Sequence, residues 1–343
     1  MSHYKLALLG FGNVGRALAK LLLRKGVELA SDHNITYSVT GIATENHGSI
    51  ICETGIDLTN ALEVIRQGGR LESIPNGNSV DDKFEFIKTC NADVLFENTP
   101  VNHASGQPAI SYIEQALLCH MHVATANKGP VVHAYQELSN LSRAQERRFL
   151  FESTVMDGAP IFSLFRSALP GAQLKSFRGV LNSTTNLILT RIETGETFDE
   201  AVKYAQSIGI AETDPSGDVD GWDAAIKVAA LVTVLMRIPL KPQQVDRQGI
   251  RNLTPDQIRT ARKENKRWKL VCSAERDGDV IHARVRPEIV PASSALYNIE
   301  GTTSIVDFET DVLGRLSLCE TDPGPQTTAY GLLADFINAV HPQ

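Results

Sequence analysis

The sequence predicts a two-domain α/β protein, with a doubly wound, mostly parallel sheet in its first half and an α+β domain in its second. Three observations carry that expectation. An apolar run, Tyr4 to Leu9, leads into Gly10-Phe11-Gly12-Asn13-Val14-Gly15 and then into a segment of helical period that stops at Gly26. Apolar strands and amphipathic helices then alternate to about residue 150, which is the rhythm of βαβ units. From Trp268 to Ile299 apolar and polar residues alternate instead, as at Ile281, Ala283 and Val285, the period of antiparallel strands with one buried face. The 343 residues are enough for about two cores.

The opening strand, glycine turn and helix are the most specific signal. In a Rossmann-type sheet the spacing GxGxxG serves a tight turn, a close approach of backbone to a pyrophosphate, and close packing of helix on strand. The phosphates then sit over the helix N-terminus. Gly10, Phe11, Gly12, Asn13, Val14, Gly15 and Arg16 are therefore candidate dinucleotide contacts. The second strand, Ile35 to Ala43, ends at Thr44-Glu45, where an acidic residue binds a ribose diol. No Arg or Lys adjoins Glu45 in sequence, which leans toward NAD, whereas Arg16 offers a partner for the 2′-phosphate of NADP.

Helices near Leu58 to Gln67 and Asp81 to Thr89 lead to the strand Ala92 to Glu97. Thr99 follows it at a strand's carboxyl end, the position from which a doubly wound sheet meets its ligand. A helix from about Pro108 to Leu118 and the strand His122 to Thr125 come next. Lys128 stands in the turn Ala126-Asn127-Lys128-Gly129-Pro130, with Pro130 expected to open a helix reaching about residue 146. Cys119-His120-Met121-His122 has metal-ligating residue types, but it straddles a helix end and a strand start, so its side chains diverge.

After a strand at Phe149 to Glu152, the loop Ser153 to Pro160 marks the change of domain. The first domain is expected over residues 1–150, completed by a terminal helix within 320–343, and the second over 151–319. In the second, the strand Phe177 to Leu181 ends in Asn182-Ser183-Thr184-Thr185, good cap residues for a helix from Asn186 to Glu193. Thr197 and Glu200 form a capping box for a helix that stops at Gly209. An acidic, glycine-punctuated loop then runs into a helix that reaches Met236. In that helix only Asp223 and Lys227 are charged, and four-residue spacing puts both on one face, the acid toward the N-terminus. The pair reads either as a structural ion pair in the core or as a catalytic lysine tuned by desolvation and nearby carboxylates. A helix from about Asn252 to Lys263, strands continuing through Thr303 to Leu318, and an amphipathic helix from Thr327 to Val340 complete the chain.

Composition bounds the partners. A net charge of −7 and a pI near 5.7 argue against nucleic acid and anionic membrane as partners and suit an enzyme of small molecules. No apolar run approaches the roughly 18 residues of a membrane helix, and no secretory leader is legible. The five cysteines, without CxxC spacing, read as reduced thiols of a cytoplasmic protein.

Taken with the glycine loop and Ala126-Asn127-Lys128-Gly129-Pro130, the stretch Gly179 to Asn186 and the stretch Gly209 to Lys227 resemble homoserine dehydrogenase, over nearly the whole chain. The resemblance implies interconversion of L-homoserine and L-aspartate 4-semialdehyde with NAD or NADP, on the route to threonine and methionine. It implies that Thr99 and Lys128 join Gly10 to Arg16 at the cofactor, and that Lys227 exchanges the substrate proton with Lys128 assisting. Glu212 would bind the substrate ammonium, Asp223 would hold substrate and Lys227, and Ser183 and Thr184 would line the pocket. A monovalent cation, Na⁺, is implied at Glu152, Val155, Asp157 and Ala159, mostly through main-chain carbonyls. The second domain would be catalytic and would form a homodimer, and no threonine-binding regulatory domain is expected.

Two departures stand out. Asp157 replaces a small residue, and Glu320-Thr321-Asp322-Pro323-Gly324-Pro325-Gln326 brings two carboxylates to a loop that usually approaches cofactor phosphate. Two other readings fit the same residues: a same-fold oxidoreductase acting on another amino or hydroxy acid, and a dinucleotide-binding sensor without turnover.

Overall fold

The glycine loop leaves the carboxyl end of a central strand, and the rest of its sheet explains why. In this computed structural model, which describes residues 1–341, the chain divides into two units. One comprises Met1–Pro160 and the segment from Gly324 onward, and the other Ile161–Pro323. The first unit holds β1 (Ser2–Leu9), β2 (Ile35–Ala43), β3 (Ser49–Ile51), β4 (Asn78–Ser79), β5 (Val94–Glu97), β6 (His122–Thr125) and β7 (Phe149–Leu150). They form one sheet in the order β4-β3-β2-β1-β5-β6-β7. The run from β2 to β7 is parallel, and the short β3 and β4 add antiparallel at the edge. The chain proceeds outward from β1 to β2 on one side and to β5 on the other, so the topological switch point lies between β1 and β5.

Parallel strands buried on both faces read as continuous apolar runs, as in Leu6 to Leu9 and Val94 to Phe96, all with 1% or less of their surface exposed. The helix Asn13–His33 covers one face with Leu18 and Leu22. The helix Pro325–Val340 packs beside it, Phe336 meeting Tyr4 and Phe96 edge-on at centroid distances of 6.0 and 6.1 Å. Three local expectations are corrected, the first being the stop at Gly26, since the helix from Asn13 runs on to His33 and ends at Asn34 in the left-handed region. The single helix expected from Pro130 to about residue 146 is two, Lys128–His133 and Tyr135–Ala144, with Ala134 in a non-helical conformation between them. The first begins before Pro130 because the Asn127 side chain accepts from Gly129 N at 3.0 Å and caps the helix there. The strand expected at Phe149 to Glu152 stops at Leu150, and Glu152–Thr154 form a 3₁₀ turn.

The second unit is an antiparallel sheet backed by helices. It contains β8 (Leu174–Val180), β9 (Asp246–Arg247), β10 (Lys266–Asp277), β11 (Val280–Pro291), β12 (Ser304–Thr310) and β13 (Gly314–Glu320), in the order β13-β12-β8-β10-β11-β9. Only β9 runs parallel to its neighbour. The helices Ser183–Glu193, Phe198–Ser207, Trp222–Leu231 and Pro255–Lys263 belong to this unit, and the capping boxes at Thr197/Glu200 and Thr254/Gln257 are formed. The helix Trp222–Leu231 lies on β10 and β11 and widens into a π-turn over Val232–Met236.

Candidate functional site

The first unit carries a cradle for a phosphate-bearing ligand. Gly10 adopts φ +98°, and a Cβ there would lie 2.4 Å from Asn98 O across the switch point. A Cβ on Gly15 would lie 2.3 Å from Gly10 O, so this glycine is required for helix-on-strand packing. Gly12 has nothing within 4 Å of its would-be Cβ, which leaves its backbone open to a ligand. The three glycines thus divide between packing and access, and the residues present fit a dinucleotide. Phe11 is 3% exposed and packs into the core, so it offers the ligand backbone rather than ring. Asn13, Val14 and Arg16 form the first turn of the helix, and Arg16 Nη2 donates to Asn13 Oδ1 at 2.8 Å.

Beside the loop, a cavity of about 660 Å³ is lined by Gly10, Thr44, Glu45, Lys83, Thr99 and Tyr112 among others. It opens at the carboxyl ends of β1, β2 and β5, where such sheets bind ligands. Lys83 was not legible as a neighbour of Glu45. The fold brings it there from a later helix, and its Nζ donates to Thr44 O at 2.8 Å and Ser49 Oγ at 2.9 Å. Lys128 is half-buried at the first position of the helix that Asn127 caps.

The second unit carries a lysine and carboxylate centre. Asn182 is the cap of the helix Ser183–Glu193, its Oδ1 accepting from Thr185 N at 2.8 Å. Its Nδ2 donates to Asp218 Oδ1 at 2.6 Å and to Asp223 Oδ2 at 3.0 Å, so one amide holds two carboxylates. Lys227 Nζ lies 3.0 Å from Asp223 Oδ2 and donates to Leu181 O at 2.7 Å. The Lys227 and Asp223 side chains are 14% and 18% exposed: largely dry, yet reachable. Burial and the neighbouring Asp223 charge push the Asp218 carboxyl up, against hydrogen bonds from Asn182 and Thr184 and the charge of Lys227. Burial also pushes the adjacent Cys272 thiol up to about 12, so it stays neutral.

Thr184 Oγ1 donates to Ile210 O at 3.3 Å and Ser183 Oγ lies 3.4 Å from Ser304 Oγ, which ties the helix start to the acidic loop and to β12. Glu212 is exposed on that loop, and its carboxylate has no hydrogen-bond or ion-pair partner among the described residues. The structure therefore gathers Ser183, Thr184, Asp223 and Lys227 into one centre. It adds two residues that sequence reading left unassigned. Asn182 was legible only as a cap, and Asp218 was one acid among several in its loop.

The segment with the remaining candidates lies in the first unit. Glu152 and Val155 are buried, while Asp157 and Ala159 are half-buried. Asp157 has φ +38°. Its carboxylate accepts from Thr328 Oγ1 at 3.0 Å and Thr327 Oγ1 at 3.3 Å, and so serves the start of the terminal helix. Among the described residues no cluster of three or more His, Cys, Asp or Glu side chains forms a metal site, so a cation here would depend on main-chain oxygens and Glu152.

A glycine-loop cradle in one unit and a half-buried lysine paired with carboxylates in the other define a nicotinamide-dependent oxidoreductase. Comparison with known proteins agrees. A model of the homoserine dehydrogenase NAD-binding domain matches residues 10–152, and the homoserine dehydrogenase model matches residues 160–337. The chain is 37% identical to an NAD(+)-dependent homoserine dehydrogenase of Pseudomonas canavaninivorans, over 98% of this chain and 96% of that one. It is 36% identical to a homoserine dehydrogenase of Methanocaldococcus jannaschii, over 96% and 97%. Among solved structures, a putative homoserine dehydrogenase of Archaeoglobus fulgidus superposes with a TM-score of 0.86 at 29% identity, covering 98% of both chains. A hyperthermophilic archaeal homoserine dehydrogenase in complex with NADPH gives 0.83 at 30% identity, covering 99% of this chain and 98% of that one. The chain belongs to the homoserine dehydrogenase family.

Proposed function

We propose that the protein interconverts L-homoserine and L-aspartate 4-semialdehyde, with NAD as its preferred dinucleotide. The observation that carries this is Lys227, held between Leu181 O and Asp223 in a largely dry setting. When bound, the dinucleotide supplies the hydride acceptor, or the donor in reverse. As the neutral amine, Lys227 takes the hydroxyl proton in the direction of oxidation. As the ammonium, it returns a proton to the carbonyl oxygen in the direction of reduction. Leu181 O and Asp223 fix Nζ for that exchange, and Asn182 fixes Asp223. Glu212 and Asp218 supply negative charge for the substrate ammonium, and Ser183 and Thr184 line its pocket. Lys128 and Thr99 bind and orient the dinucleotide.

The preference for NAD rests on Glu45, which lines the cavity just past β2, where a carboxylate accepts from ribose hydroxyls and repels a 2′-phosphate. Two of the three N–H donors of Lys83 are engaged with Thr44 O and Ser49 Oγ. A monovalent cation at the main-chain oxygens of Val155, Asp157 and Ala159, with Glu152, forms part of the same proposal, as do a homodimer and a cytoplasmic setting. The last fits five cysteines that are all free thiols.

The test is nicotinamide absorbance during L-homoserine oxidation with NAD and with NADP, for the wild type and Lys227→Ala, alongside direct titration of dinucleotide. Turnover that is faster with NAD and lost in Lys227→Ala, with dinucleotide binding retained, is the expected result. Binding without turnover in the wild type would transfer the case to another hydroxy or amino acid, or to a sensor.

A further inference from the structure

Glu97 is fully buried at the last position of β5, in register with Leu9 of β1 and Thr125 of β6. These three positions form the row of the sheet from which the glycine loop, the Asn98-Thr99-Pro100 turn and the Asn127-Lys128 turn depart. One carboxylate oxygen, Oε1, accepts from Thr99 N at 2.9 Å and from the Thr99 hydroxyl. The other accepts from Thr125 Oγ1 at 2.7 Å. Thr125 Oγ1 in turn accepts from Asn127 N at 2.9 Å, and Asn127 Nδ2 donates to Thr99 O at 3.2 Å. The bonds close a ring that joins the end of β5 to the end of β6.

A carboxyl group at the centre of a parallel sheet buried on both faces is costly, because its charged form loses its hydration there. Burial pushes the Glu97 carboxyl up in spite of its donors, all of which are hydroxyls and amides. Such a cost at a row that releases loops marks a residue kept for what it arranges.

We propose that Glu97 is a positioning residue for the dinucleotide: its carboxyl ties the Thr99 turn to the Asn127-Lys128 turn, fixing both before the ligand arrives. The proposal rests on the reading that these two turns contact the cofactor. Fixing them in advance removes an ordering cost from binding. Glu97 itself exchanges no proton with substrate.

The test uses Glu97→Ala and Glu97→Gln in the full chain. NADH affinity is measured by direct fluorescence titration, with the KM for NAD, the KM for L-homoserine, kcat and the thermal midpoint beside it. Glutamine keeps an acceptor for Thr99 N and offers N–H to Thr125 Oγ1, so the ring closes. Alanine leaves the Thr99 N–H without its buried acceptor. In Glu97→Ala the NADH Kd and the KM for NAD rise about tenfold, while kcat and the L-homoserine KM change less than about threefold. Glu97→Gln stays within about threefold of wild type throughout. Where Glu97→Ala does not fold, Thr125→Val breaks the same ring at nearly constant volume and raises the NADH Kd likewise. Wild-type NADH affinity in the alanine variant, equal weakening in alanine and glutamine variants, or a parallel rise in both KM values would overturn the proposal. Absence of NADH binding by the wild type would instead sink the cofactor reading beneath it.

Discussion

Asn182 performs two tasks with the two ends of one amide, and a single substitution separates them. Oδ1 caps the helix Ser183–Glu193 through Thr185 N at 2.8 Å, and Nδ2 clamps Asp218 and Asp223 at 2.6 and 3.0 Å. Asn182→Ser retains a good cap, because serine ranks with asparagine at that position, whereas alanine costs about 1 kcal/mol. A serine hydroxyl is too short and has one proton, so it cannot hold two carboxylates. A hydrogen bond to a charged group is worth about 1.5–3 kcal/mol net. Losing the clamp at about 2 kcal/mol corresponds to roughly 30-fold in kcat/KM. The assay is steady-state oxidation of L-homoserine with a parallel urea melt. Asn182→Ser should keep the cap but lose about 2 kcal/mol of stability with the clamp, together with up to about 30-fold in kcat/KM, while Asn182→Ala loses about 1 kcal/mol more through the cap. A serine variant with kcat/KM within twofold of wild type would refute the clamp, and one as unstable as the alanine variant would refute the cap.

The glycine loop gives a second separation. Gly12→Ala meets nothing within 4 Å and should leave the thermal midpoint unchanged while weakening NADH binding, whereas Gly10→Ala, at φ +98° and 2.4 Å from Asn98 O, should lower the midpoint by several degrees. Equal stability of the two variants would contradict this division. Lys269 is a pH probe: burial lowers its pKa to about 8, so between pH 8 and its unfolded value near 10.5 the unfolded chain binds more protons and stability rises with pH. Denaturant melts across that window should show the wild type gaining on Lys269→Met, and parallel profiles would show that the lysine is not desolvated.

The fold was legible where a local rule coincides with tertiary need. β2 begins and ends where expected, at Ile35 and Ala43, because local turn chemistry bounds it: Asn34 in the left-handed region before it and the Thr44–Gly48 turn after it. The helix after Pro130 was misread because an X-Pro signal is outranked by an Asn cap three residues earlier, and only the Asn127–Gly129 bond reveals which prevails. β3, β4 and β9 have three residues or fewer and exist through pairing with a longer neighbour, which no window of sequence contains. At the site, Asp223 and Lys227 were legible because two charges in an apolar helix require an explanation. Asn182, Asp218, Lys83 and Glu97 were not, since each acts on a group between 28 and 41 residues away.

The second unit contains another buried lysine, and the contrast between the two supports the role proposed for Lys227. Lys269 is 1% exposed, with its Nζ donating to Asn186 Oδ1 at 2.9 Å and to Ile299 O, in a nest that includes Glu193 and Arg267. A charge so enclosed meets only protein atoms, and its role is to anchor Asn186, whose Nδ2 also holds Gly301 O and Thr303 O. Asn186 lies one turn along the same helix that Asn182 caps, so the sealed network fixes the element whose first turn clamps Asp218 and Asp223. Lys227 has the same kind of main-chain partner in Leu181 O, but its side chain keeps 14% of its surface. Burial alone therefore does not single out the lysine proposed as catalytic, since the more deeply buried of the two is Lys269. A pairing with carboxylates at a point that a ligand can still reach does.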